Sequence, residues 1–231
     1  MKAKRAIKIS VDLVMTVLFL CQMGYHMMDN RAHEWLGIAL CLLFILHHAL
    51  NGGWHRALFR GKYSAQRILL TAVDALLTLS MAAIIVSAVM VSRHAFRFLG
   101  FHLRGLGRQL HMPATMWAFV LMGLHLGLHW SMMLNAVRKR TQRKAGKAAV
   151  AALHVLLVLA VVFGAYQFIH RGLWMEMFRL REFAFLDYDE TLPYFFLSYI
   201  AILALWAALS YYLSKLLKGR KTHPNTVLFK A

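Results

Sequence analysis

A chain of 231 residues of which 60% are hydrophobic and 13% aromatic, with a mean hydropathy of +0.55, does not have the composition of a water-soluble domain. Its formal net charge of +18 would suggest a nucleic-acid partner in a soluble protein, but in a membrane protein the placement of basic residues along the chain indicates topology instead. The composition excludes a soluble globular domain, and no nucleic-acid partner is expected.

Six apolar segments are long enough to cross a bilayer, and lipid requires each to be a helix because it offers no water to unpaired backbone groups. They cover residues 7–28, 33–52, 66–92, 109–136, 148–169 and 193–217. The sequence therefore predicts an all-α integral membrane bundle of six transmembrane helices. No small-residue cleavage pattern follows the first segment, so we expect it to be retained as a helix.

Basic residues cluster before the first segment, in the second and fourth connections and in the C-terminal tail, whereas the acidic stretch "LDYDE" at 186–190 lies in the fifth connection. Because basic residues favour the cytoplasmic side, this pattern predicts that both termini are cytoplasmic. The second and fourth helices then run from the outside to the inside. Cys21 and Cys41 both fall inside predicted spans, which argues against a disulfide framework.

The second segment, "HEWLGIALCLLFILHH", carries His33 and His47 fourteen residues apart. On a helix these side chains lie about 40° apart on one face and about 21 Å apart along the axis. An imidazole in hydrocarbon is costly unless it faces a polar interior, a partner or a metal. Each of these two imidazoles, at its own depth in the membrane, therefore requires a functional or structural explanation.

The fourth segment repeats this interval, because His111 and His125 in "HMPATMWAFVLMGLH" are also fourteen residues apart. With both helices running in the same direction, His33 is level with His111 near the outer surface and His47 with His125 nearer the inner one. Two imidazoles at each depth are the ligand set that holds one haem iron between two helices. No C-x-x-C-H attachment motif is present, so the sequence predicts two stacked b-type haems with these four histidines as axial ligands.

Neighbouring histidines offer alternatives to the four favoured ligands. His48 and His129 are reserve ligands, since each lies beside or one turn from a favoured histidine. His26, His94, His102 and His154 are more distant candidates. The glycines near the proposed ligands, Gly37, Gly123 and Gly127, would either let a macrocycle approach the backbone or serve ordinary helix packing, and packing is the favoured interpretation.

Two carboxylates fall inside the apolar segments. Asp12 and Asp74 lie near the predicted cytoplasmic ends of the first and third helices, where buried acidic residues are rare. They would either relay protons to a quinone near the inner haem or pair with the interfacial cations Lys8 and Arg67. The ion-pair interpretation is the simpler one and is favoured.

Four arginines gather in the third connection, on the side where basic residues are disfavoured: Arg93, Arg97, Arg104 and Arg108. Such a cluster predicts contacts with anions. Haem propionates, an acidic redox partner and lipid headgroups are the candidates.

Two segments resemble sequences of the bacterial flavinylation-associated cytochrome family: "HEWLGIALCLLFILHHALNGGW" at 33–54 and "AFVLMGLHLGLHW" at 118–130. The segment "RGLWMEMFRLREFAFLDYDE" at 171–190 and the later "YYLSKLL" are similar to longer members, and the paired-histidine helices are also similar to the haem-bearing pair of cytochrome b. The resemblance implies a multi-pass b-type dihaem cytochrome of the bacterial cytoplasmic (inner) membrane. It also implies the electron-transfer subunit of an oxidoreductase system, passing electrons between the quinone pool or a cytoplasmic-side donor and an extracytoplasmic flavoprotein.

We expect residues 1–138 to form a four-helix dihaem core and residues 139–231 to add a two-helix hairpin with a basic C-terminal tail. Two other classes remain open. A metal-ion or proton transporter could use the same histidines and carboxylates without haem, and a purely structural membrane subunit could satisfy the histidines through helix contacts. Only the cytochrome predicts a coloured cofactor.

Overall fold

The computed structural model describes residues 2–100, 103–141, 146–181 and 187–219, and these residues form helices, turns and loops without a strand. His102, His223 and the basic tail from residue 220 lie outside the described residues. The helices, in chain order, are α1 (Lys2–Met23), α2 (Asn30–Leu50), α3 (Gly52–Ala57), α4 (Ala65–Val91), α5 (Arg104–Thr141), α6 (Lys147–His170), α7 (Leu173–Met177) and α8 (Leu192–Gly219).

The six long helices, α1, α2, α4, α5, α6 and α8, are each long and apolar enough to cross a membrane. The prediction of an all-α bundle with six spans is therefore confirmed. The first span ends earlier than residue 28, because α1 stops at Met23 and a short 3-10 turn follows Gly24. The fourth is longer than predicted: α5 has 38 residues, about 57 Å of helix, which exceeds the ~30 Å hydrocarbon core.

Side-chain caps start two of the spans. The Asp29 carboxylate accepts a hydrogen bond from the backbone N–H of Ala32 at 2.7 Å at the start of α2. The Ser64 hydroxyl accepts one from the N–H of Arg67 at 3.3 Å at the start of α4. These oxygens satisfy backbone donors that have no partner within the helix.

The exterior of the bundle is apolar. Leu79, Leu159 and Ile169 are each more than 60% exposed, and α6 exposes aliphatic side chains along almost its whole length. A contiguous apolar surface of this extent is unfavourable in water but is the surface that lipid solvates. The chain is therefore a multi-pass membrane protein.

The core lies where α1, α5 and α8 meet. Phe119 of α5 is fully buried and stacks on Phe19 of α1, with ring centroids 6.4 Å apart. Its other side meets Tyr199 of α8 at 5.5 Å, edge to face, while Phe195 and Ile202 fill the remaining space. Residues on both sides of position 138 thus share one core. The division into 1–138 and 139–231 stays a prediction, and its boundary falls near the end of α5.

Small residues bring α8 against its neighbours. A Cβ on Gly127 of α5 would lie 2.0 Å from the carbonyl oxygen of Ala207, and one on Gly164 of α6 would lie 2.2 Å from that of Ala201. A Cβ on Gly123 would meet Trp206 at 2.8 Å. These glycines serve close helix packing, as favoured from the sequence, and Gly123 and Gly127 face α8.

A buried ion pair joins the α6–α8 connection to the end of α1. Arg171 and Glu190 form a two-point hydrogen-bonded pair, and the carboxylate of Glu190 lies 3.9 Å from Nε2 of His26. Burial lowers the pKa of Arg171, but the hydrogen bonds that it donates to Glu190 and the nearby charges outweigh this effect, so the pKa lies above its ordinary value. The ring of His26 also meets Tyr188 and Phe195 edge to face, so its contacts are with this connection and with α8.

Candidate functional site

The histidines predicted to share a depth near one surface do meet in the structure. His33 of α2 and His111 of α5 have ring centroids 6.4 Å apart, with their planes 73° apart. Two imidazoles bound to opposite sides of one metal, with bonds of about 2 Å each, have centroids about 6 Å apart. The separation of this pair fits a shared iron. We call the pair the His33–His111 level.

The hydrogen bonds around His111 define which of its nitrogens is free. Ser87 of α4 is fully buried and donates its only hydroxyl proton to the carbonyl of Ala83 at 2.6 Å. The same oxygen lies 3.1 Å from Nδ1 of His111. With the hydroxyl proton on Ala83, Nδ1 of His111 donates to the Ser87 oxygen, and this tautomer leaves Nε2 as a lone pair able to bind a metal.

His33 has a different environment. Its Nδ1 is buried and has no hydrogen-bond partner among the described residues, and its ring meets Tyr25 edge to face at 5.0 Å. The Gln22 side chain donates to the backbone carbonyl of His33 at 2.9 Å, and it also occupies the space in front of Gly37. Gly37 thus faces α1, where the Gln22 amide lies close to the backbone.

At the other end of the bundle, each predicted ligand histidine is bound by a carboxylate. Nδ1 of His47 lies 2.6 Å from Oδ1 of Asp12, and Nδ1 of His125 lies 2.7 Å from Oδ1 of Asp74. A carboxylate on Nδ1 holds the ring in one tautomer and orientation and makes Nε2 a stronger donor to a metal. We call these residues the His47–His125 level.

The sequence interpretation of the two aspartates was wrong about their partners. Lys8 donates to the side chain of Asn51 at 3.0 Å instead of pairing with Asp12. Arg67 donates to backbone carbonyls of the preceding connection, including that of Lys62 at 3.2 Å, and stacks over the ring of Tyr63. Both carboxylates instead bind imidazoles of the following long helix, Asp12 in a half-exposed position and Asp74 in a largely enclosed one.

A repeated motif could have revealed these pairs. Both aspartates stand in V-D-x-x-x-T, at residues 11–16 and 73–78, and in both copies the threonine hydroxyl donates to the aspartate carbonyl, at 2.9 and 2.8 Å. The valine of each copy is buried. In each case a helix with this motif precedes a helix with two histidines fourteen residues apart, so α1–α2 and α4–α5 are equivalent hairpins.

The reserve ligands lie close to the same level but have other partners. Nδ1 of His48 is 3.1 Å from Nε2 of His55 in α3, so its ring is engaged with that short helix. His129 packs against His125 with centroids 4.6 Å apart. Ligand atoms of Asp74, His125 and His129 all lie within 4.8 Å of one another, so these three residues could also hold a metal ion directly.

The remaining histidines in the described ranges are not paired across the bundle. His154 is exposed on α6 and its Nδ1 is 2.7 Å from the backbone carbonyl of Val150, while His170 stacks on Tyr166. His94 lies in the connection between α4 and α5. These positions give no second ligand at their depth.

Two of the four predicted arginines line one cavity. Arg93 and Arg97 border a space of about 410 Å³ together with Arg31, Trp35, His94 and Ala95. Arg104 and Arg108 are exposed at the start of α5 and do not line it. Arg31, at the start of α2, was missed because it belongs to a different segment of the sequence.

Glu34 holds this connection against α2. Its carboxylate accepts from the backbone N–H groups of Arg93, His94 and Ala95 and from the hydroxyl of Ser92, over 2.7 to 3.1 Å. The single acidic side chain thereby satisfies four donors of the turn after α4. Its proximity to His33 places the arginine-lined cavity beside the His33–His111 level.

The fold and site together define a polytopic α-helical membrane protein with imidazoles gathered at two depths of one bundle. Against known families, curated proteins and solved structures, the chain gives no match. The function of the chain is therefore inferred from the geometry of these residues.

Proposed function

We propose that the protein is an integral membrane b-type cytochrome that carries electrons across the bacterial cytoplasmic membrane through two bis-histidine haems. His33 and His111 would hold one haem, and His47 and His125 the other. Bound haem would supply a one-electron carrier at each depth, and six-coordinate iron without an open site suits electron transfer.

The observation that carries this proposal is the His33–His111 pair, together with the carboxylate bound to each histidine of the His47–His125 level. The His33–His111 spacing matches two imidazoles on one iron, and His111 has its Nδ1 engaged and its Nε2 available. His47 and His125 have the carboxylate partners that metal-binding histidines commonly have. Histidines that only stabilised helix packing would need neither a spacing that fits a shared metal at one level nor a carboxylate on each predicted ligand at the other.

In the proposed role, electrons pass between the quinone pool or a cytoplasmic-side donor and an extracytoplasmic flavoprotein, as the family resemblance implies. The chain would then be the electron-transfer subunit of a larger oxidoreductase system. The cavity lined by Arg31, Arg93 and Arg97 supports contact with an anionic group of that partner or with haem propionates. The membrane lipid covers the apolar exterior.

The second candidate function is a metal-ion or proton transporter without haem. The proximity of Asp74, His125 and His129 favours it, since one carboxylate and two imidazoles are a suitable ligand set for a transition metal ion. This candidate accounts for one depth only, because the His33–His111 level has no carboxylate between its rings. A cofactor spectrum separates the two functions.

The test is the visible spectrum of the purified protein, produced with ample haem supply, before and after reduction with dithionite. We expect the sharp α-band of low-spin b-type haem in the reduced sample. A colourless protein that binds a divalent ion at Asp74 and His125 would contradict the cytochrome and support the transporter.

The proposed orientation has both termini in the cytoplasm. In a variant lacking Cys21 and Cys41, a thiol introduced by Asp189→Cys should react with a membrane-impermeant maleimide in intact spheroplasts, because Asp189 is exposed in the α7–α8 connection. The matched control is Phe59→Cys, at an exposed position before α4, which should react only after lysis. The reverse pattern would invert the orientation and the direction of the electron path.

A further inference from the structure

The two levels differ in the charge that meets the ligand histidines at Nδ1. At the His47–His125 level both rings face carboxylates, at 2.6 and 2.7 Å. At the His33–His111 level, His111 faces the neutral hydroxyl of Ser87, and Nδ1 of His33 has no hydrogen-bond partner in the part of the chain that the structure describes. Two negative charges therefore act through the ligands of the His47–His125 level. Among the described residues, none acts through Nδ1 of a ligand at the His33–His111 level.

Glu34 does not cancel this difference. It stands next to His33 in the chain and its charge acts on that ring, but its carboxylate is held by hydrogen bonds from residues 92–95 and does not face Nδ1 of a ligand. The guanidinium groups of Arg31, Arg93 and Arg97 line the adjoining cavity and add positive charge there. At the His47–His125 level one cation, Lys8, reaches Asn51 beside His47, where two carboxylates outnumber it. The electrostatic environment of the His33–His111 level is therefore the more positive of the two.

We infer that Asp12 and Asp74 are positioning residues that lower the reduction potential at the His47–His125 level below that at the His33–His111 level. The inference rests on the proposed dihaem function and adds a direction to it. A carboxylate on Nδ1 raises the donor strength of Nε2, and its negative charge stabilises ferric over ferrous iron. In the proposed orientation the difference favours electron delivery from the cytoplasmic side outward.

The two aspartates contribute unequally. The side chain of Asp74 is 11% exposed and that of Asp12 is 50% exposed. A charge in a less solvated position is screened less and acts more strongly on its surroundings. Asp74 should therefore account for most of the difference between the two levels.

Optical redox titration of the purified haem-loaded protein tests this inference. Asp74→Asn keeps an oxygen that can accept the Nδ1–H of His125 but removes the charge. In Asp74→Asn the midpoint potential of the lower-potential haem should rise by about 59 mV for one electron. At the wild-type midpoint, the oxidised-to-reduced ratio of that haem should therefore fall about tenfold. Asp12→Asn should raise the same midpoint potential by less than half as much. Asp74→Glu keeps the negative charge and should leave this potential close to the wild-type value.

The matched control is Ser87→Ala, which removes the neutral partner of His111 and should leave the lower wave in place. If Asp74→Asn loses haem, Asp12→Asn decides the matter, since Asp12 lies in a more exposed position. The inference would be overturned if the midpoint of the lower-potential haem were unchanged in haem-replete Asp12→Asn and Asp74→Asn. It would also be overturned if only the midpoint of the higher-potential haem moved. A wild-type protein without haem would instead reject the proposed function itself.

Discussion

Replacing His47 or His125 by Ala is expected to damage the same haem. Loss of either axial imidazole leaves iron with one protein ligand, so that haem is either lost or becomes high spin, while the other haem stays low spin. His33→Ala and His111→Ala should both damage the other haem and leave the first one low spin. Haem content and the spin state of the oxidised protein, read from the visible spectrum and electron paramagnetic resonance, measure the result.

The neighbouring histidines provide the controls. His48→Ala and His129→Ala should each retain two low-spin haems, because Nδ1 of His48 is engaged by His55 and the Asp74 carboxylate is bonded to Nδ1 of His125. The informative comparisons are His47→Ala with His48→Ala and His125→Ala with His129→Ala. If the control in either comparison costs a haem while its neighbour does not, the fourteen-residue register is wrong.

Gly127→Ala is expected to be the most destabilising of the small substitutions in the bundle. The new Cβ would lie 2.0 Å from the carbonyl oxygen of Ala207 and 2.1 Å from the hydroxyl oxygen of Ser210. That hydroxyl is buried and donates to the carbonyl of Leu124 at 2.7 Å, so α8 cannot shift without breaking this bond. Overpacking of this kind costs about 3 kcal/mol.

The loss should be visible as a lower thermal midpoint of unfolding in detergent. Gly53→Ala is the matched control, since a Cβ there meets no atom within 4 Å and should leave the midpoint unchanged or slightly raised. Equal midpoints for Gly127→Ala and wild type would mean that α5 and α8 do not pack as closely as described.

The spans could be predicted from the sequence because lipid imposes both the length and the helical conformation of each apolar run. The end of the first span was less predictable, since Gly24 ends α1 inside a run that remains apolar to residue 28. The matched depths followed from helix geometry, and the structure does bring His33 to His111. Their role as haem ligands stays a prediction.

The aspartate partners were harder to predict because side chains on different helices meet only when each helix has the correct rotation. The period of one helix does not define that rotation. A search along the chain favoured the nearest cations, Lys8 and Arg67, whereas the structure joins Asp12 to His47 and Asp74 to His125, 35 and 51 residues away. The repeated V-D-x-x-x-T motif was the available signal.

The haem stoichiometry of the purified full-length chain, from a pyridine haemochrome assay against an amino-acid analysis of protein concentration, tests the central claim most directly. The four histidines at two depths predict two non-covalent b-type haems per chain. One haem per chain would contradict the two-level arrangement. No haem in protein made with ample haem supply would contradict the cytochrome.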